Sequence, residues 1–274
     1  MLGPRVRKGG SVNSCAMVSL GLIGWAEADA LQKRVVAARK AGAVGDVLLL
    51  CEHPHTITLG RSGKAEHLLA GENVLRQKGV EFHATDRGGD ITYHGPGQLV
   101  GYPIVHLAAI KRDVGWYVRM LEEAMIRASA EFGITAVREP GKTGIWVAGQ
   151  TNAAPEKLAA IGVHLSRWVT SHGFAYNVAT DLRYFDLIVP CGIAERRATS
   201  LEKLLGGTFR VSEVSERISR HLGEVLNLDV YVTPRVQFLR ALEQAETSAQ
   251  RLPREQTMVL ATPGANVETV RSDV

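Results

Sequence analysis

Cysteine and long apolar runs are scarce in this chain, and each scarcity excludes a class of protein. The 274 residues include only three cysteines, Cys15, Cys51 and Cys191. These are far apart and form no CxxC pair, so neither a disulfide framework nor a structural zinc site is expected. No apolar run reaches the roughly 18 residues of a membrane span. We therefore expect a protein of a reducing compartment, the bacterial cytoplasm, with mitochondrial import as the minority alternative.

Charge of one sign is only slightly in excess. Lys and Arg total 32 against 28 Asp and Glu, a formal net charge of +4, and the sequence pI is about 9.0. A basic balance favours acidic partners, but no dense Lys/Arg block stands out, so a solvated basic surface is the simpler interpretation. Trp168, Phe174 and Tyr176 lack an accompanying basic groove, which favours core or pocket wall over nucleic-acid stacking. We expect neither nucleic-acid nor membrane binding.

The hydrophobic pattern predicts helices mixed with irregular groups of strands, which favours an α/β or α+β fold. One folded domain is expected over residues 17–246, after a disordered leader at 1–16 and before a loose polar tail at 247–274. The predicted helices cover residues 25–42, 113–132, 199–205 and 211–226. The predicted strands cover residues 18–23, 46–51, 56–59, 79–85, 98–106, 136–138, 144–148, 157–165, 174–178 and 230–232.

The glycine segment, from Arg87 to Gln98, carries the strongest chemical signal in the chain. Its sequence RGGDITYHGPGQ is rich in glycine, which forces unusual backbone and lets a ligand approach the main chain. Backbone N–H groups can then donate to a carbonyl or phosphate oxygen, with Arg87, Thr92, Tyr93 and His94 as further donors. The context matches neither a Walker loop nor a dinucleotide fingerprint. A plain turn between strands is the structural alternative.

Two isolated residues are candidates for chemistry. Cys191 lies between Pro190 and Gly192, which predicts a sharp, exposed turn. A lone cysteine is often buried and inert, so both the inert and the nucleophilic interpretation stay open. Lys157 begins an apolar segment, where a desolvated lysine titrates easily. The alternative for Lys157 is a side chain that snorkels at the start of a strand.

A cluster of potential ligands at Cys51, Glu52, His53 and His55 suggests a metal site by composition alone. Neighbouring side chains of a strand point to opposite faces and Pro54 divides the group, so one ion cannot easily collect them. We expect no metal and no cofactor.

The glycine segment and the LVGYP that follows it at 99–103 resemble the signature of the lipoyl(octanoyl) transferases. Later segments agree with that family in order, namely residues 144–147, 157–163, 172–175, Asn177, 190–193 and 199–201. The resemblance covers residues from about 18 to 226, so the leader and the tail lie outside it.

The resemblance implies a fold shared with biotin and lipoate protein ligases, a mixed sheet flanked by helices. It implies octanoyl transfer from octanoyl-acyl carrier protein to a lysine of lipoyl domains of 2-oxoacid dehydrogenases or of the glycine cleavage H protein. The octanoyl group would pass through a thioester on Cys191, and Lys157 would lower the pKa of the thiol. The implied substrate pocket comprises Arg87, Gly88, Gly89, Asp90, Ile91, Thr92, Tyr93, His94, Ala160, Ile161, Gly162, Gly173, Phe174 and Ala175.

Two residues depart from the family pattern. His55 stands where a less polar residue is expected, and Tyr176 stands where leucine is expected, a change that bears on the preferred acyl length.

Two other functions stay open. One is an ATP-dependent lipoate or biotin ligase on the same fold, which would need no cysteine nucleophile. The other is a non-enzymatic module that binds the carrier protein.

Overall fold

The computed structural model describes residues 13–149, 154–189 and 197–251, with side chains up to residue 248. The helices are α1 (Trp25–Lys40), α2 (Glu72–Gln77), α3 (Val114–Ala130), α4 (Leu201–Leu205), α5 (Val211–Leu226) and α6 (Arg235–Arg251). The strands are β1 (Asn13–Leu22), β2 (Asp46–Glu52), β3 (Thr56–Leu59), β4 (Glu81–Ala84), β5 (Ile91–His94), β6 (Gln98–Ile104), β7 (Ala136–Val137), β8 (Ile145–Val147), β9 (Glu156–Ser166), β10 (Val169–Asn177) and β11 (Leu228–Val232). Within these ranges, no helix has the length and apolar character to cross a membrane.

The strands form two sheets. The large sheet has eight strands in the order β11-β1-β2-β6-β10-β9-β8-β7, and the small sheet has the order β4-β3-β5. In the large sheet β1 is parallel to both of its neighbours, whereas every pair from β2 to β7 is antiparallel. In the small sheet β3 is parallel to β4 and antiparallel to β5. The predicted mixed sheet with flanking helices is therefore confirmed.

The large sheet is buried on both faces. In β2, Leu48 and Leu50 pack into one core with α3 and α5, whereas Val47 and Leu49 pack into a second core with α1 and α6. Successive side chains of a strand point to opposite faces. An unbroken apolar run such as that of β2 therefore fits a strand covered on both sides.

Local signals set the two main helices of the first core. Asp113 is the N-cap of α3, and its side chain accepts a hydrogen bond from the Trp116 N–H at 2.9 Å. Such a cap satisfies one of the free N–H groups at a helix start. The predicted helix over 211–226 coincides with α5, which ends at Asn227 in the left-handed conformation, a common helix stop.

The ends of the domain differ from the prediction. β1 begins at Asn13, so residues 13–16, expected in the disordered leader, are strand and pair with both β2 and β11. α6 was not predicted, and its last turns extend into the expected tail. It is held by burial of Phe238 and Leu242 beside α1. These partners are distant in sequence, so local patterns do not show them; residues 1–12 and 252–274 lie outside the described residues.

Candidate active site

A cavity of about 510 Å³ lies between the two sheets, a size that suits a small ligand. One wall is the glycine segment with β5, and the other comes from β6, β9 and β10. The expected pocket residues that line it are Arg87, Gly88, Gly89, Asp90, Ile91, Thr92, His94, Ala160, Ile161, Gly162, Gly173, Phe174 and Ala175, together with Lys157. The structure thus brings together segments that are far apart in the chain, while their roles toward substrate stay predictions.

Two expected site residues are not part of this wall. Tyr93 is fully buried in the core of the small sheet and is not among the residues that line the cavity. Cys191, the expected nucleophile, lies outside the described residues, as do Pro190, Gly192 and Ile193.

Glycine is required where the two walls meet. The Gly88 N–H donates to the Val163 carbonyl at 2.9 Å, which fastens the glycine segment to β9. A Cβ atom at Gly162 would lie 2.6 Å from the Gly88 oxygen, closer than any real contact of that kind. The glycines therefore serve the close approach of two backbones, and a plain turn does not explain them.

Arg87 fastens the glycine segment to the small sheet. Its Nε and Nη2 atoms donate to Thr58 Oγ1 at 3.1 and 2.9 Å, and Nη2 also donates to the Thr58 carbonyl at 2.7 Å. Its Nη1 donates to the Gly88 carbonyl at 3.1 Å. The sequence did not single out Thr58, because it lies 29 residues before Arg87 and only the folded structure brings the two side chains together.

His94 is a buried, neutral histidine with a defined tautomer. Gln98 Nε2 donates to the Tyr93 carbonyl at 3.1 Å, so Gln98 Oε1 accepts from His94 Nδ1 at 2.8 Å. The other nitrogen, Nε2, lies 3.4 Å from Thr58 Oγ1, whose proton is free to point to it because Arg87 donates to the same oxygen. Burial, helped by the charges of His53 and Arg87, lowers the pKa of His94 to about 3. His94 is therefore a neutral link in a hydrogen-bond chain.

The same hydrogen-bond chain continues to the strand of Lys157. Gln98 Nε2 donates to Asn177 Oδ1 at 2.9 Å, and Asn177 Nδ2 donates to the Thr199 carbonyl at 3.0 Å. The Thr199 N–H donates to the Lys157 carbonyl, and the Lys157 N–H donates to the Arg197 carbonyl, both at 2.9 Å. Polar contacts thus connect the glycine segment to Lys157 across the cavity.

Lys157 lies at a cationic end of the cavity. Its Nζ atom is 4.6 Å from the centroid of the Trp146 ring, within the range of a cation–π contact. Lys142 Nζ is 5.9 Å from the same ring, and both Lys142 and Arg197 line the cavity. Positive charge here favours an anion or a developing oxyanion. Lys142 and Arg197 carried no sequence signal that set them apart from surface cations.

Asp90 is the single carboxylate among the described residues that line the cavity. Its Oδ2 atom is 2.6 Å from His67 Nδ1. The His67 carbonyl accepts the Val189 N–H at 2.8 Å. Asp90 thus connects the glycine segment to the last described residue before Cys191.

His172, on β10, holds Asp86, the residue just before the glycine segment. Its Nε2 atom is 2.7 Å from Asp86 Oδ1, and its N–H donates to Gln32 Oε1 at 2.9 Å. Burial lowers the pKa of His172, although the bond to Asp86 opposes this. Burial raises the pKa of Asp86, but the hydrogen bond and charge of His172 outweigh it and hold that pKa below its usual value.

The potential ligands at the end of β2 and just after it are used in protein contacts. His53 Nδ1 is 2.8 Å from the Ile23 carbonyl and His53 Nε2 is 2.7 Å from Tyr102 Oη. Burial raises the pKa of the Cys51 thiol well above its usual value, which keeps it unreactive. In the parts of the chain that the structure describes, no group of three His, Cys, Asp or Glu side chains is arranged to hold a metal ion.

Tyr176, one of the two departures from the family pattern, does not line the cavity. Its side chain is fully buried in the first core, and its hydroxyl lies 2.8 Å from Ser129 Oγ on α3. An effect of Tyr176 on acyl length through direct contact is therefore not supported.

Comparison with known proteins agrees with this arrangement. The model of the lipoyl protein ligase A/B catalytic domain matches residues 25–223. An octanoyltransferase of Solibacter usitatus is 52% identical over 219 residues, covering 80% of this chain and 96% of the relative. One of Acidobacterium capsulatum is 51% identical over 193 residues, covering 68% and 78%. The bipartite lipoate protein ligase of Thermoplasma acidophilum is similar in fold, with a TM-score of 0.63 at 16% identity, covering 85% of this chain and 92% of that chain.

Proposed function

The chain belongs to the lipoyl protein ligase A/B catalytic domain family and is an octanoyltransferase, an acyltransferase of protein lipoylation, and we propose that it carries the octanoyl group on Cys191. The family resemblance drawn from the motifs is confirmed. In general terms its partners are an acyl carrier and a lipoyl-accepting domain. We propose octanoyl-acyl carrier protein as donor, and lipoyl domains of 2-oxoacid dehydrogenases or the glycine cleavage H protein as acceptors. The cytoplasmic location stays a prediction.

The position of Lys157 is the observation that supports this proposal. Lys157 lines the cavity, and its backbone is bonded to Arg197 and Thr199, which follow the segment containing Cys191. A neighbouring ammonium lowers the pKa of a thiol and raises the fraction of thiolate, which is the nucleophilic form. Lys157 therefore has the charge and the chain connection that a partner of Cys191 requires.

In the first step the Cys191 thiolate attacks the carbonyl carbon of the octanoyl thioester on the carrier. The carbonyl oxygen becomes an oxyanion, and nearby cations or backbone N–H groups stabilise it; losing one such donor typically costs about 3 kcal/mol. The bond to the carrier sulfur then breaks. The carrier thiolate takes a proton from the Lys157 ammonium, which leaves an octanoyl thioester on Cys191 and a neutral Lys157.

In the second step the neutral amine of the acceptor lysine attacks the thioester carbon on Cys191. Lys157 takes the proton that the amine loses, the carbon–sulfur bond breaks, and the Cys191 thiolate is restored beside the Lys157 ammonium. Because an amide is more stable than a thioester, the transfer needs no nucleotide.

The cavity wall of β9 and β10 suits an aliphatic chain. Ala160, Ile161, Phe174 and Ala175 line it, and each buried methylene contributes about 0.8 kcal/mol. An eight-carbon chain therefore gains enough by burial for cavity depth to select its length.

Intact-mass measurement of the acyl-enzyme tests the proposal. The purified protein is mixed with octanoyl-acyl carrier protein without acceptor and without ATP. We expect a gain of one octanoyl group that hydroxylamine removes, that Cys191→Ser abolishes and that Cys15→Ala, a change in a buried core cysteine, leaves intact. Attachment of free octanoate that requires ATP would favour the ligase alternative. Carrier binding without any transfer would favour the binding-module alternative.

A further inference from the structure

Three parallel rings lie behind the glycine segment, outside the cavity. The His55 and Tyr184 rings are 4.1 Å apart at 11°, and the Tyr93 and Tyr184 rings are 5.1 Å apart at 9°. We propose that His55, Tyr93 and Tyr184 form a positioning stack for residues 182–189, the chain that leads to Cys191, a role that rests on the proposed function. The stack includes the expected pocket residue that the cavity does not use and the departure from the family pattern at position 55.

A hydrogen bond and a glycine fix the rings relative to each other. His55 Nδ1 lies 2.7 Å from Tyr93 Oη. A Cβ atom at Gly95 would overlap the Tyr93 hydroxyl and lie 3.2 Å from His55 Nδ1. Gly95 therefore makes the space that this hydrogen bond occupies, and one glycine of the segment serves the stack and not the cavity.

The stack holds the 3₁₀ helix Leu182–Leu187. Lys78 Nζ is 5.7 Å from the centroid of the Tyr184 ring. The next residue, Phe185, meets Tyr93 edge to face at 5.3 Å and 78°, and it also lines the cavity. A shift of Tyr184 would therefore be carried directly into the cavity wall by its neighbour.

Backbone hydrogen bonds hold the chain after the rings. The Leu187 carbonyl accepts the Leu69 N–H at 2.9 Å and the Ala70 N–H at 3.3 Å, and the Val189 N–H donates to the His67 carbonyl at 2.8 Å. Cys191 follows Val189 by two residues in the sequence. The rings and these bonds together determine where the chain enters the segment that contains Cys191.

Ring-removing and ring-keeping variants test this role. Tyr184→Leu and His55→Leu remove a ring from the stack, whereas His55→Phe keeps the ring and loses only the hydrogen bond to Tyr93. The matched control is Phe209→Leu, which removes a ring from the Phe132–Phe209 contact, at 5.9 Å and 84°, in a part of the first core that does not line the cavity. Each variant is assayed for single-turnover acylation by octanoyl-acyl carrier protein and for urea unfolding.

We expect Tyr184→Leu and His55→Leu to slow acylation of Cys191 by about 10-fold or more, because small misplacements of reacting groups reduce rates strongly. His55→Phe should recover most of the rate. Phe209→Leu should acylate at the wild-type rate, even if its urea-unfolding midpoint falls as far as that of Tyr184→Leu or His55→Leu.

Other results would overturn the stack as a positioning device. These are wild-type acylation in folded Tyr184→Leu and His55→Leu, or a loss of rate in Phe209→Leu that matches its loss of stability. If the wild-type protein forms no acyl-enzyme, the proposed function fails first. The rate at which iodoacetamide alkylates Cys191 then tests the stack separately, and equal rates in wild type and His55→Leu would exclude it.

Discussion

Both sheets of this protein bury apolar side chains, but polar and ring contacts have a larger part in the small sheet. In the large sheet, β2 sends alternate apolar side chains into two separate cores, so its stability comes from burial. In the small sheet, β5 is tied to its surroundings through the hydrogen bonds of His94 and the ring contacts of Tyr93. Apolar burial is spread over many contacts, so the loss of one side chain in the large sheet should lower stability and leave the geometry of the site in place. In a chain of hydrogen bonds each member supports its neighbours, so the loss of one member disturbs the others. Changes in the two sheets should therefore separate stability from activity.

The largest loss of stability is expected in the large sheet. Leu48 is 0% exposed, and Leu48→Ala should destabilise the protein by about 2–5 kcal/mol because it removes buried methylenes and leaves a cavity. Octanoyl transfer per folded molecule should stay near the wild-type value. Urea unfolding and single-turnover acylation in dilute buffer measure the two effects. A folded variant with severely impaired transfer would show that the large sheet is more than a scaffold.

A smaller loss of stability with a larger loss of activity is expected in the small sheet. His94→Leu leaves Gln98 Oε1 without the His94 donor, whereas Thr58 Oγ1 keeps its bonds from Arg87, so the cost is about 1–3 kcal/mol for one unpaired buried group. Because the same chain of hydrogen bonds reaches Lys157, transfer should fall further than stability alone explains. His94→Gln retains polar atoms and is the control. Equal kcat/KM in His94→Leu and wild type would disconnect this chain from the reaction.

The stability of the protein should depend on pH through the same histidine of the small sheet, His94. The pKa of His94 is about 3 in the folded protein against 6.5 as its usual value, so the unfolded state binds a proton that the folded state refuses. Stability therefore falls as pH drops below about 6.5 and continues to fall toward pH 3. Between pH 7.5 and pH 5 this amounts to about 2 kcal/mol. Urea unfolding of wild type and His94→Gln at both pH values should reveal that difference, and parallel losses would assign the acid sensitivity to other groups.

The scaffold was more predictable from the sequence than the contacts that complete the site. The apolar run at 46–51 and the periodicity at 211–226 gave β2 and α5, since each is encoded by residues next to each other in the chain. The glycine segment predicted unusual backbone that a ligand can approach, although β5 inside it was not expected. That strand forms because β3 offers it a partner, with Leu59 opposite Ile91.

The contacts that were missed join residues from distant parts of the chain. Thr58 accepts hydrogen bonds from Arg87, and His55 stacks on Tyr184. No sequence pattern at Thr58 or His55 identifies these partners. A polar residue at position 55 was noticed only as a departure from the family. Tyr93 was expected in the pocket wall. Side chains alternate along β5, however, and the Tyr93 ring points into the core of the small sheet.

The smallest effect on stability is expected at Tyr176, which lies in β10 of the large sheet. Ser129 Oγ donates to the Met125 carbonyl at 2.8 Å, so the Tyr176 hydroxyl is the donor to Ser129. Tyr176→Phe removes this one hydrogen bond and keeps the ring, which should cost about 1 kcal/mol. Preference among C6, C8 and C10 donors should not change, because the Tyr176 side chain packs in the first core and does not line the cavity. A changed preference would mean that the packing of α3 against β10 sets the depth of the cavity, and the large sheet would then help to select the substrate as well as support the site.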